Sequence, residues 1–486
     1  MKKMTGFLLG FLVWSLGVFA QTSGGLFSYG PDMNSTRIFP YVSQKPDGDV
    51  MVFGGRSNGF ISSAYADLYS IETNTFTNLN MLYTHDNTVM VKLNDGRVLL
   101  AGGGFDYGVP AHQYAEIYNP NDNSFTAAGT MAYARMQGSG ALLTDGKVLI
   151  VGGWYSPEAA ANAELYDPVL MTSSYAGGLL NPRSNALVLP CNDGGALVIG
   201  GYPTYGGTTF NAVEYYNRET SSFELFSDEI ISGETGWTTT LDPFYRKTTD
   251  MYILENGKYL LMLYRSVPTL EYTLALFDPE NKSFEKVNTD YPLMGAYSDG
   301  GIIDYALNKE ESLVYMLGVD NESGSTGYCI VTTDLSTGKT YQPDESYTMP
   351  SGEYLIFTTL SYIPETGMLL APGVSTSNTD YFNATAKSFL IEPELKVDIP
   401  IQEDLIVLQV YPNPVKDMLM LILPSNIGGQ AIVDICDMRG QILYRTNAFG
   451  GEKLVIPVNY LPTGNYFLRV RNGNCNLSAS FIRAGN

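Results

Sequence analysis

The sequence predicts an all-β protein in which an array of short repeated sheets is followed by a small β-sandwich. Three observations lead to this prediction: a composition suited to short strands and turns, a repeat of roughly 50 residues, and a C-terminal segment outside the repeat. The 486 residues include 50 Gly, 25 Pro, 35 Tyr and 22 Phe. This composition favours many short strands joined by tight turns and argues against a helical bundle.

Charge and composition exclude several classes of protein. The chain carries 28 Lys and Arg against 50 Asp and Glu, a net charge of −22. Nucleic acids and anionic membranes require a basic face, so we predict no nucleic-acid partner. Apolar residues make up 44% of the chain and charged residues 16%, which excludes a disordered acidic polymer.

Residues 1–20 have the pattern of a secretory signal peptide. Lys2 and Lys3 precede a short apolar run, and the small residues Val18 and Ala20 stand where a signal peptidase requires them. The run is shorter than the roughly 20 residues that cross a bilayer, although an uncleaved anchor is the alternative. We therefore expect passage through the periplasm to the medium or the outer cell surface, with no transmembrane segment after cleavage.

Glycine pairs mark the repeat. Each pair ends an apolar run, and an Asp-Gly turn lies seven residues before each pair. The pairs are Gly54-Gly55, Gly102-Gly103, Gly152-Gly153 and Gly200-Gly201, at intervals of 48, 50 and 48 residues. Asp-Gly between apolar runs predicts a hairpin, because the tight turn requires the positive φ that Gly adopts readily.

A second hairpin follows each pair and extends the repeat to seven copies. It begins and ends with an aromatic residue in most copies, as in Tyr118 and Phe125, and the first members are spaced 49, 48, 50, 61, 56 and 49 residues apart. Each copy thus supplies four short strands, which bury their faces only when such sheets stack radially. Residues 36–392 are therefore predicted to form a seven-bladed β-propeller.

Two segments of the array carry a family resemblance. Together with the Gly pairs, Ala115–Pro120 and Ala163–Pro168 resemble the kelch repeat, although the distal aromatic residue is Phe or Tyr where the family usually has Trp. The resemblance implies a kelch-type propeller similar to the central domain of galactose oxidase.

The C-terminal segment is predicted to be a separate module. Residues 393–402 match no repeat and are interpreted as a linker. Residues 403–486 alternate apolar and polar side chains, which predicts a small Ig-like antiparallel β-sandwich.

Three motif blocks in this module carry a second resemblance. Their defining residues are Pro412, Asn413, Pro414 and Asp417, then Asp437 and Gly440, and finally Gly464 and Tyr466. In this order they resemble the type A C-terminal sorting domain, or Por secretion tail, of the type IX secretion system of Bacteroidetes. The resemblance implies the type IX translocon and its sorting machinery as partners, followed by removal of the domain or its exchange for a surface anchor. The alternative is a generic Ig-like domain with no role in sorting.

One face of the predicted propeller gathers the candidate binding residues. Loops after the second strand of each blade and loops between blades emerge on the same face. The candidates are Arg56, Phe105, Asp106, Tyr107, Trp154, Tyr155, Tyr202 and Tyr205 from the first set, with Arg135, Arg183 and Trp237 from the second. Aromatic planes beside polar groups suit a pyranose, so we predict that this face binds a glycan or a surface glycoprotein. Packing between blades, a protein-interaction scaffold and a glycan-active enzyme are the alternatives.

The chain offers little for catalysis. Copper radical oxidases similar to galactose oxidase require two His and two Tyr around the metal. Here His85 and His112 are the only histidines, and they are expected to be solvated and about 9–10 Å apart across an intervening strand. A mutarotase-like activity rests on fold analogy alone. We therefore assign no catalytic residue, metal or cofactor.

Two further sets of residues have structural interpretations. Glu116 and Glu164 occupy the same position in successive repeats, so they are interpreted as structural rather than catalytic carboxylates. Four cysteines lie far apart: Cys191 and Cys329 are predicted to be free, whereas Cys436 and Cys475 are either bridged or free.

Overall fold

The computed structural model describes most of the chain between residues 26 and 484. The described ranges are 26–58, 61–104, 111–154, 156–203, 212–239, 252–265, 271–287, 293–294, 302–320, 327–341, 346–349, 353–355, 358–376, 384–393, 409–411, 414–423, 430–436, 442–472 and 475–484. Regular structure in these ranges is almost entirely β-strand, which confirms the all-β class. The chain divides into two compact units, Met1–Lys396 and Val397–Asn486. The division lies within the residues that the sequence assigns to a linker.

The first half of the larger unit consists mainly of strands of four residues or more, with a few two-residue strands among them. In chain order the elements are β1 (Leu26–Tyr29), β2 (Tyr41–Gln44), β3 (Val50–Phe53), β4 (Arg56–Ser57), β5 (Ile61–Ser62), β6 (Tyr65–Ser70), β7 (Thr75–Asn80), β8 (Val89–Lys92), β9 (Val98–Ala101), β10 (Tyr114–Asn119), β11 (Ser124–Thr130), β12 (Ser139–Leu142), β13 (Val148–Val151), α1 (Pro157–Ala161), β14 (Asn162–Asp167), β15 (Thr172–Gly178), β16 (Arg183–Ser184), β17 (Leu187–Pro190), β18 (Ala196–Ile199), β19 (Tyr202–Pro203), β20 (Val213–Asn217) and β21 (Ser222–Ser227). The four main sheets are antiparallel, in the orders β2-β3-β6-β7, β8-β9-β10-β11, β12-β13-β14-β15 and β17-β18-β20-β21.

Three further sheets of three or more strands are described in the rest of the larger unit. Their strands are β22 (Tyr259–Arg265), β23 (Glu271–Asp278), β24 (Ser283–Lys286), β25 (Leu293–Met294), β26 (Ile302–Asn308), β27 (Leu313–Asp320), β28 (Gly327–Asp334), β29 (Thr340–Tyr341), β30 (Tyr347–Thr348), β31 (Ser361–Ile363), β32 (Met368–Pro372) and β33 (Ser388–Glu392). The sheet orders are β22-β23-β24 with β25 beside β23, β26-β27-β28-β29 with β30 beside β28, and β31-β32-β33-β1.

The last sheet joins the two ends of the array. Strand β1 pairs antiparallel with β33, so that Tyr29 lies opposite Phe389, and their ring centroids are 4.6 Å apart. The sequence places the start of the propeller at residue 36, whereas this strand extends it to Leu26. Strand β1 lies outside the repeat pattern because it contributes a single strand to a copy whose other three strands lie at the opposite end of the array.

Apolar contacts run between neighbouring sheets. The side chains of Phe53 in the first sheet and Tyr118 in the second are buried in one cluster, with ring centroids 5.3 Å apart. Leu149 of the third sheet shares a cluster with Val188 and Val198 of the fourth. Each sheet is thus covered on its faces by its neighbours, as radial stacking requires.

The glycine pairs are required at the point where one sheet contacts the loop that leads into the following sheet. Gly152 has φ +61°, and a Cβ on it would lie 2.2 Å from the carbonyl oxygen of Arg183. The following residue, Gly153, donates its backbone N–H to that same oxygen at 2.9 Å. The positive φ and the close backbone approach both exclude a side chain at Gly152.

The described residues of the smaller unit form two antiparallel sheets. Its strands are β34 (Gln409–Tyr411), β35 (Met418–Ile422), β36 (Gln430–Cys436), β37 (Ile442–Phe449), β38 (Lys453–Pro457), β39 (Gly464–Asn472) and β40 (Cys475–Arg483). The sheet orders are β34-β35-β38 and β37-β36-β39-β40. Buried residues of both sheets, including Leu419, Leu421, Val433, Ile456 and Leu468, form one core.

The cysteines whose side chains the structure describes are buried. Among them, Cys191 and Cys329 form no disulfide, in agreement with the sequence-based expectation, and Cys436 forms none either. Cys436 lies opposite Phe467, whereas Cys475 pairs with Asn472. Five residues of strand β39 separate those two positions, roughly 17 Å, so a bridge between Cys436 and Cys475 is excluded. No helix in the described ranges is long and apolar enough to span a membrane.

Candidate ligand-binding face

Buried carboxylates hold the loops between the first four sheets. Asp67, Glu116, Glu164 and Glu214 stand on the third strands of these sheets and are fully buried. Glu164 accepts hydrogen bonds from the backbone N–H groups of Ala132 at 2.6 Å and Tyr133 at 3.2 Å. Each carboxylate therefore ties the preceding inter-blade loop to its own sheet, which agrees with the structural role inferred for Glu116 and Glu164.

A buried cationic or imidazole side chain accompanies each of these carboxylates. Arg37, His85, Arg135 and Arg183 occupy this position and are fully buried. Arg135 forms an ion pair with Glu164, and Arg183 forms one with Glu214 and also donates to the carbonyl oxygen of Gly200 at 3.0 Å. Desolvation lowers the pKa of the Arg135 guanidinium, while the carboxylate of Glu164 opposes this effect.

Arg135 and Arg183 are therefore unavailable to a ligand, contrary to the expectation from the sequence. Sequence spacing does not show whether a loop side chain points outward or back between the sheets. Here a buried carboxylate draws each guanidinium inward, because an unpaired carboxylate in the interior would be costly.

The side chains of Arg56 and Trp237 are also buried, so neither is exposed on the predicted ligand-binding face. Arg56 forms an ion pair with buried Asp86. The indole Nε1 of Trp237 donates to the carboxylate of Glu234 at 2.8 Å. The guanidinium of Arg265 lies 4.6 Å from the centroid of the same ring.

Two of the predicted aromatic residues remain accessible. Trp154 is 40% exposed, and its backbone N–H donates to the carbonyl oxygen of Met136 at 2.7 Å. Tyr202 is partly buried and lies opposite Ser184 in a short two-stranded pairing. The other predicted face residues lie outside the described part of the chain: Phe105, Asp106, Tyr107, Tyr155 and Tyr205.

The two histidines lie much closer together than the sequence suggested. His85 is fully buried rather than solvated, and the His85 and His112 ring centroids are 5.6 Å apart. His85 Nε2 lies 2.8 Å from Glu116 and its Nδ1 lies 3.0 Å from the carbonyl oxygen of Gly102. The expectation of two solvated rings about 9–10 Å apart was wrong, because His85 takes the interior position that Arg occupies in neighbouring sheets.

An aromatic cluster that includes His112 lies partly at the surface. The rings of Tyr83 and Tyr114 stack with centroids 4.8 Å apart and an interplanar angle of 11°, and the His112 ring lies 5.7 Å from that of Tyr114. Tyr114 is 46% exposed. We call Tyr83, His112 and Tyr114 the aromatic cluster.

The aromatic cluster is absent from the residues predicted from the sequence, where Tyr83, His112 and Tyr114 were not grouped together. A usable signal was present: Tyr83 and His85 are two residues apart, as are His112 and Tyr114. That spacing places ring side chains on one side of an extended segment, and the two segments belong to adjacent repeats.

The environment of His112 favours a neutral imidazole. Burial lowers its pKa, although a hydrogen bond to the carbonyl oxygen of Thr84 partly opposes the shift. The Nε2 atom lies 2.7 Å from that oxygen. Because a carbonyl only accepts, Nε2 carries the proton and Nδ1 carries the lone pair in the neutral ring.

The described residues do not fit a copper site of two His and two Tyr. Both ring nitrogens of His85 are engaged, by Glu116 and by the backbone of Gly102. No group of three or more His, Cys, Asp or Glu in the described ranges is arranged to hold a metal ion. The donor geometry therefore gives no support to copper radical chemistry at these two histidines.

The sorting motifs occupy the edges and the core of the smaller unit. Pro414 and Asp417 are exposed, and the backbone carbonyl of Asp417 accepts from Val458 at 2.8 Å. Gly464 begins β39, and buried Tyr466 donates its hydroxyl to the carbonyl of Pro462 at 2.7 Å. The remaining motif residues are not among those described: Pro412, Asn413, Asp437 and Gly440.

Known proteins resemble both units. Residues 409–483 match the secretion system C-terminal sorting domain family. The kelch repeat-containing protein kel-10 of Caenorhabditis elegans is 29% identical over 125 residues, which is 25% of this chain and 21% of that protein. The chain thus spans about a fifth of that relative's length.

A solved structure has a fold similar to that of this chain. A fungal alcohol oxidase of the AA5 family, solved in complex with copper, has a TM-score of 0.52 and 15% identity, covering 95% of this chain and 100% of that one. The kelch and galactose-oxidase-like propeller expected from the sequence is confirmed. The sorting domain is also confirmed, and it marks the protein for type IX export to the medium or the cell surface.

Proposed function

We propose that this exported propeller binds a carbohydrate or a glycoprotein through exposed aromatic rings on its loop face. The observation that carries the proposal is the aromatic cluster, in which Tyr114 is exposed and supported from behind by the parallel ring of Tyr83. A supported ring loses little conformational freedom when a ligand stacks on it. Exposed Trp154 supplies a second aromatic plane.

The chemistry of the cluster suits a pyranose. The C–H face of a sugar packs on an aromatic ring, while its hydroxyl groups require polar partners nearby. The phenol hydroxyls of Tyr83 and Tyr114 are such partners, since each donates and accepts hydrogen bonds. This combination of an apolar plane with polar groups at its edge is typical of sites that bind small polar ligands.

Glycan binding by the purified full-length protein tests this proposal. We expect specific binding on a glycan array, competed by free sugar, and about a tenfold weaker affinity for Tyr114→Ala. Tyr65→Ala is the matched control, because Tyr65 begins β6 as Tyr114 begins β10 and is similarly exposed, at 48%. A blank array, or equal losses in the two variants, would contradict the proposal.

A protein-interaction scaffold is the second candidate, favoured by an apolar hairpin on the third sheet. Val169, Leu170 and Met171 are exposed at the turn between β14 and β15, with Leu170 at 69%. The corresponding turn of the second sheet holds Asn121, Asp122 and Asn123. Exposed apolar residues of this kind mark protein contacts. Capture of a surface protein by the full-length chain, lost on Leu170→Asp and unaffected by free sugar, would favour this function.

A further inference from the structure

Three arginines make the same pair of contacts in their sheets. One guanidinium nitrogen, Nη2, pairs with the buried carboxylate, and the other, Nη1, donates to the backbone carbonyl of the first residue in the glycine pair. The arginines are Arg37, Arg135 and Arg183, and the glycines are Gly54, Gly152 and Gly200. Because a guanidinium keeps its charge throughout the pH range of folded proteins, these contacts do not depend on pH.

His85 makes the same two contacts in the second sheet. Its Nε2 lies 2.8 Å from Oε1 of Glu116. Its Nδ1 lies 3.0 Å from the carbonyl oxygen of Gly102, the first residue of that glycine pair. The side chains of His85 and Glu116 are fully buried. The imidazole therefore replaces a guanidinium, with each ring nitrogen in the place of one guanidinium nitrogen.

The hydrogen-bond partners of His85 require a proton on both ring nitrogens. The carbonyl oxygen of Gly102 only accepts, so Nδ1 is a donor. The Thr88 hydroxyl lies 3.2 Å from Nδ1, but its own hydrogen is directed to backbone carbonyls, so it is a second acceptor. The carboxylate of Glu116 accepts from Nε2. Acceptors thus face both nitrogens of His85, as they face the guanidinium groups in the other sheets.

Glu116 connects His85 to the aromatic cluster. Its carboxylate also accepts the backbone N–H groups of Leu82 at 2.8 Å and Tyr83 at 3.4 Å, and hydrogen bonds of this kind stabilise a charged carboxylate. The ring of Tyr83 in turn supports that of Tyr114. Loss of the second proton from His85 would leave a buried carboxylate without its cation, which is strongly unfavourable. The loop that carries Tyr83 would then lose its attachment to the sheet.

Other titratable or charged side chains lie on this loop or contact it. They are Tyr41, Arg56, Tyr83, Asp86, His112 and Tyr114. Arg56 and Asp86 neutralise each other as an ion pair. Burial lowers the pKa of His112, so its ring is neutral at about pH 7 and above. Tyrosine ordinarily loses its proton only near about pH 10. Between about pH 7 and pH 9, the cation beside Glu116 is therefore His85.

We propose that His85, in its doubly protonated form, is a positioning residue that holds Tyr83 behind Tyr114. The aromatic cluster is then assembled at pH values where His85 keeps its second proton, and it loosens as the pH rises and that proton is lost. The direction is opposite to that of His112, whose neutral form is favoured by burial. The consequence for ligand binding rests on the proposed function of the aromatic cluster, whereas the consequence for the loop does not.

The protonation of His85 can be observed directly in the full-length protein. The chain has two histidines, so labelling with nitrogen-15 histidine resolves their ring nitrogens by NMR. At about pH 7 we expect N–H signals from both nitrogens of His85 and from one nitrogen of His112, whose Nε2 carries the proton. The chain carrying His112→Gln identifies the signals of His85. A lone-pair nitrogen in His85 at this pH would overturn the proposal.

Hydrogen exchange measures how firmly the loop is held. The backbone N–H groups of Leu82 and Tyr83 are compared with those of Ala132 and Tyr133, which the buried pair of Arg135 holds in the third sheet. Between about pH 7 and pH 9, the protection of the first two should fall at least about tenfold relative to the second two, because only the first depend on a histidine proton. A constant ratio would be evidence against the proposal.

Two substitutions separate the charge of His85 from its size. His85→Arg supplies the side chain that three other sheets use, and it should keep the protection of Leu82 and Tyr83 constant over the same pH range. Glu116→Gln removes the buried carboxylate and should also abolish the pH dependence, which provides a second test if His85→Arg does not fold. A pH dependence that persists in either folded variant would contradict the role of the pair.

Ligand binding distinguishes failure of this inference from failure of the proposed function. The glycan that binds most strongly on the array at about pH 7 should bind at least about fivefold more weakly at about pH 9, whereas the His85→Arg chain should bind it equally at both pH values. A blank array with the expected loss of protection would refute glycan binding and leave the positioning role of His85 in place. Glycan binding that is independent of pH while the loop loosens would overturn the link between His85 and binding.

Discussion

At the scale of single residues, the larger unit is organised by buried ion pairs that repeat from sheet to sheet. Arg135 with Glu164 and Arg183 with Glu214 are fully buried pairs in equivalent positions. Each glutamate also receives backbone N–H groups, so its negative charge is satisfied from several directions. Such pairs fix a loop in one conformation even where their net contribution to stability is small.

Removing one partner of such a pair should be strongly destabilising. Glu164→Ala leaves the Arg135 guanidinium buried without its carboxylate, and we expect a loss of about 3–5 kcal/mol in the free energy of unfolding. Urea denaturation measures this loss. Glu158→Ala is the control, because Glu158 is exposed at the start of α1, and should change stability by less than about 0.5 kcal/mol. Similar values for the two variants would contradict a role for the buried pair.

The stability of the protein should depend on pH through His112. Burial lowers the pKa of His112 in the folded state, so between that pKa and about 6.5 the unfolded chain binds more protons than the folded one. The contribution of the neutral His112 ring to the free energy of unfolding is fully present above about pH 6.5. It is lost as the pH falls toward the folded-state pKa of His112. His112→Gln should therefore lose less stability than the unaltered protein between pH 7.5 and 5.5 in thermal unfolding scans. Parallel pH profiles would rule out this contribution.

At the scale of secondary-structure elements, glycine sets how closely one sheet approaches the next inter-blade loop. The repeat in the sequence located the Gly pairs at Gly54, Gly102, Gly152 and Gly200, but the reason for them lies across the sheet boundary. A Cβ on Gly54, Gly102 or Gly152 would meet first the backbone oxygen of His85, Arg135 or Arg183, respectively. The glycines of the Asp-Gly turns, such as Gly146, instead serve hairpins within one sheet.

Two glycines with positive φ should respond differently to alanine. Gly146 has φ +81° and open space around its Cβ position, whereas a Cβ on Gly152 meets the Arg183 oxygen at 2.2 Å. Gly146→Ala should cost about 1–2 kcal/mol through backbone strain alone. Gly152→Ala adds a steric clash and should cost a further 1–3 kcal/mol, roughly what overpacking costs. Equal midpoints of denaturation for the two variants would show that the close approach is unimportant.

At the scale of the whole molecule, the larger unit is closed by a strand from the start of the chain. Strand β1 supplies the outer strand of the sheet formed by β31, β32 and β33. Phe27 on β1 is buried and stacks on Tyr347, with ring centroids 4.9 Å apart. The pairing links residues more than 350 positions apart, so it joins the two ends of the array.

Loss of this closing strand should destabilise the propeller and promote self-association. Deletion of residues 21–30 exposes the edge of β33 and the surface that Phe27 covers, and unpaired strand edges pair with other chains. We expect a lower melting temperature and a shift to larger species in size-exclusion chromatography. Phe27→Ala keeps the strand but removes the ring, and should cost about 3–5 kcal/mol without aggregation. A monomeric deletion variant with unchanged melting temperature would refute the closing role of β1.

The sequence by itself determined the all-β class, the propeller repeat and the sorting domain. These properties depend on local patterns, namely turn glycines, alternating apolar residues and short motifs. The spacing of such patterns can be read directly from the sequence. It also indicated that Glu116 and Glu164 are structural, because they recur at one position of successive repeats. The seven-blade count and the Ig-like description of the tail stay predictions, as does the glycan ligand.

Only the tertiary structure decided which loop residues face the solvent. Arg56, Arg135, Arg183 and Trp237 belong to loops at the predicted face, yet their side chains pack inward against partners from other strands. The same holds for His85 and for the aromatic cluster. Each of these depends on contacts between segments that are distant along the chain. Local pattern does not encode the direction of a side chain in a loop, because that direction is set by whichever charge or cavity the neighbouring sheet presents.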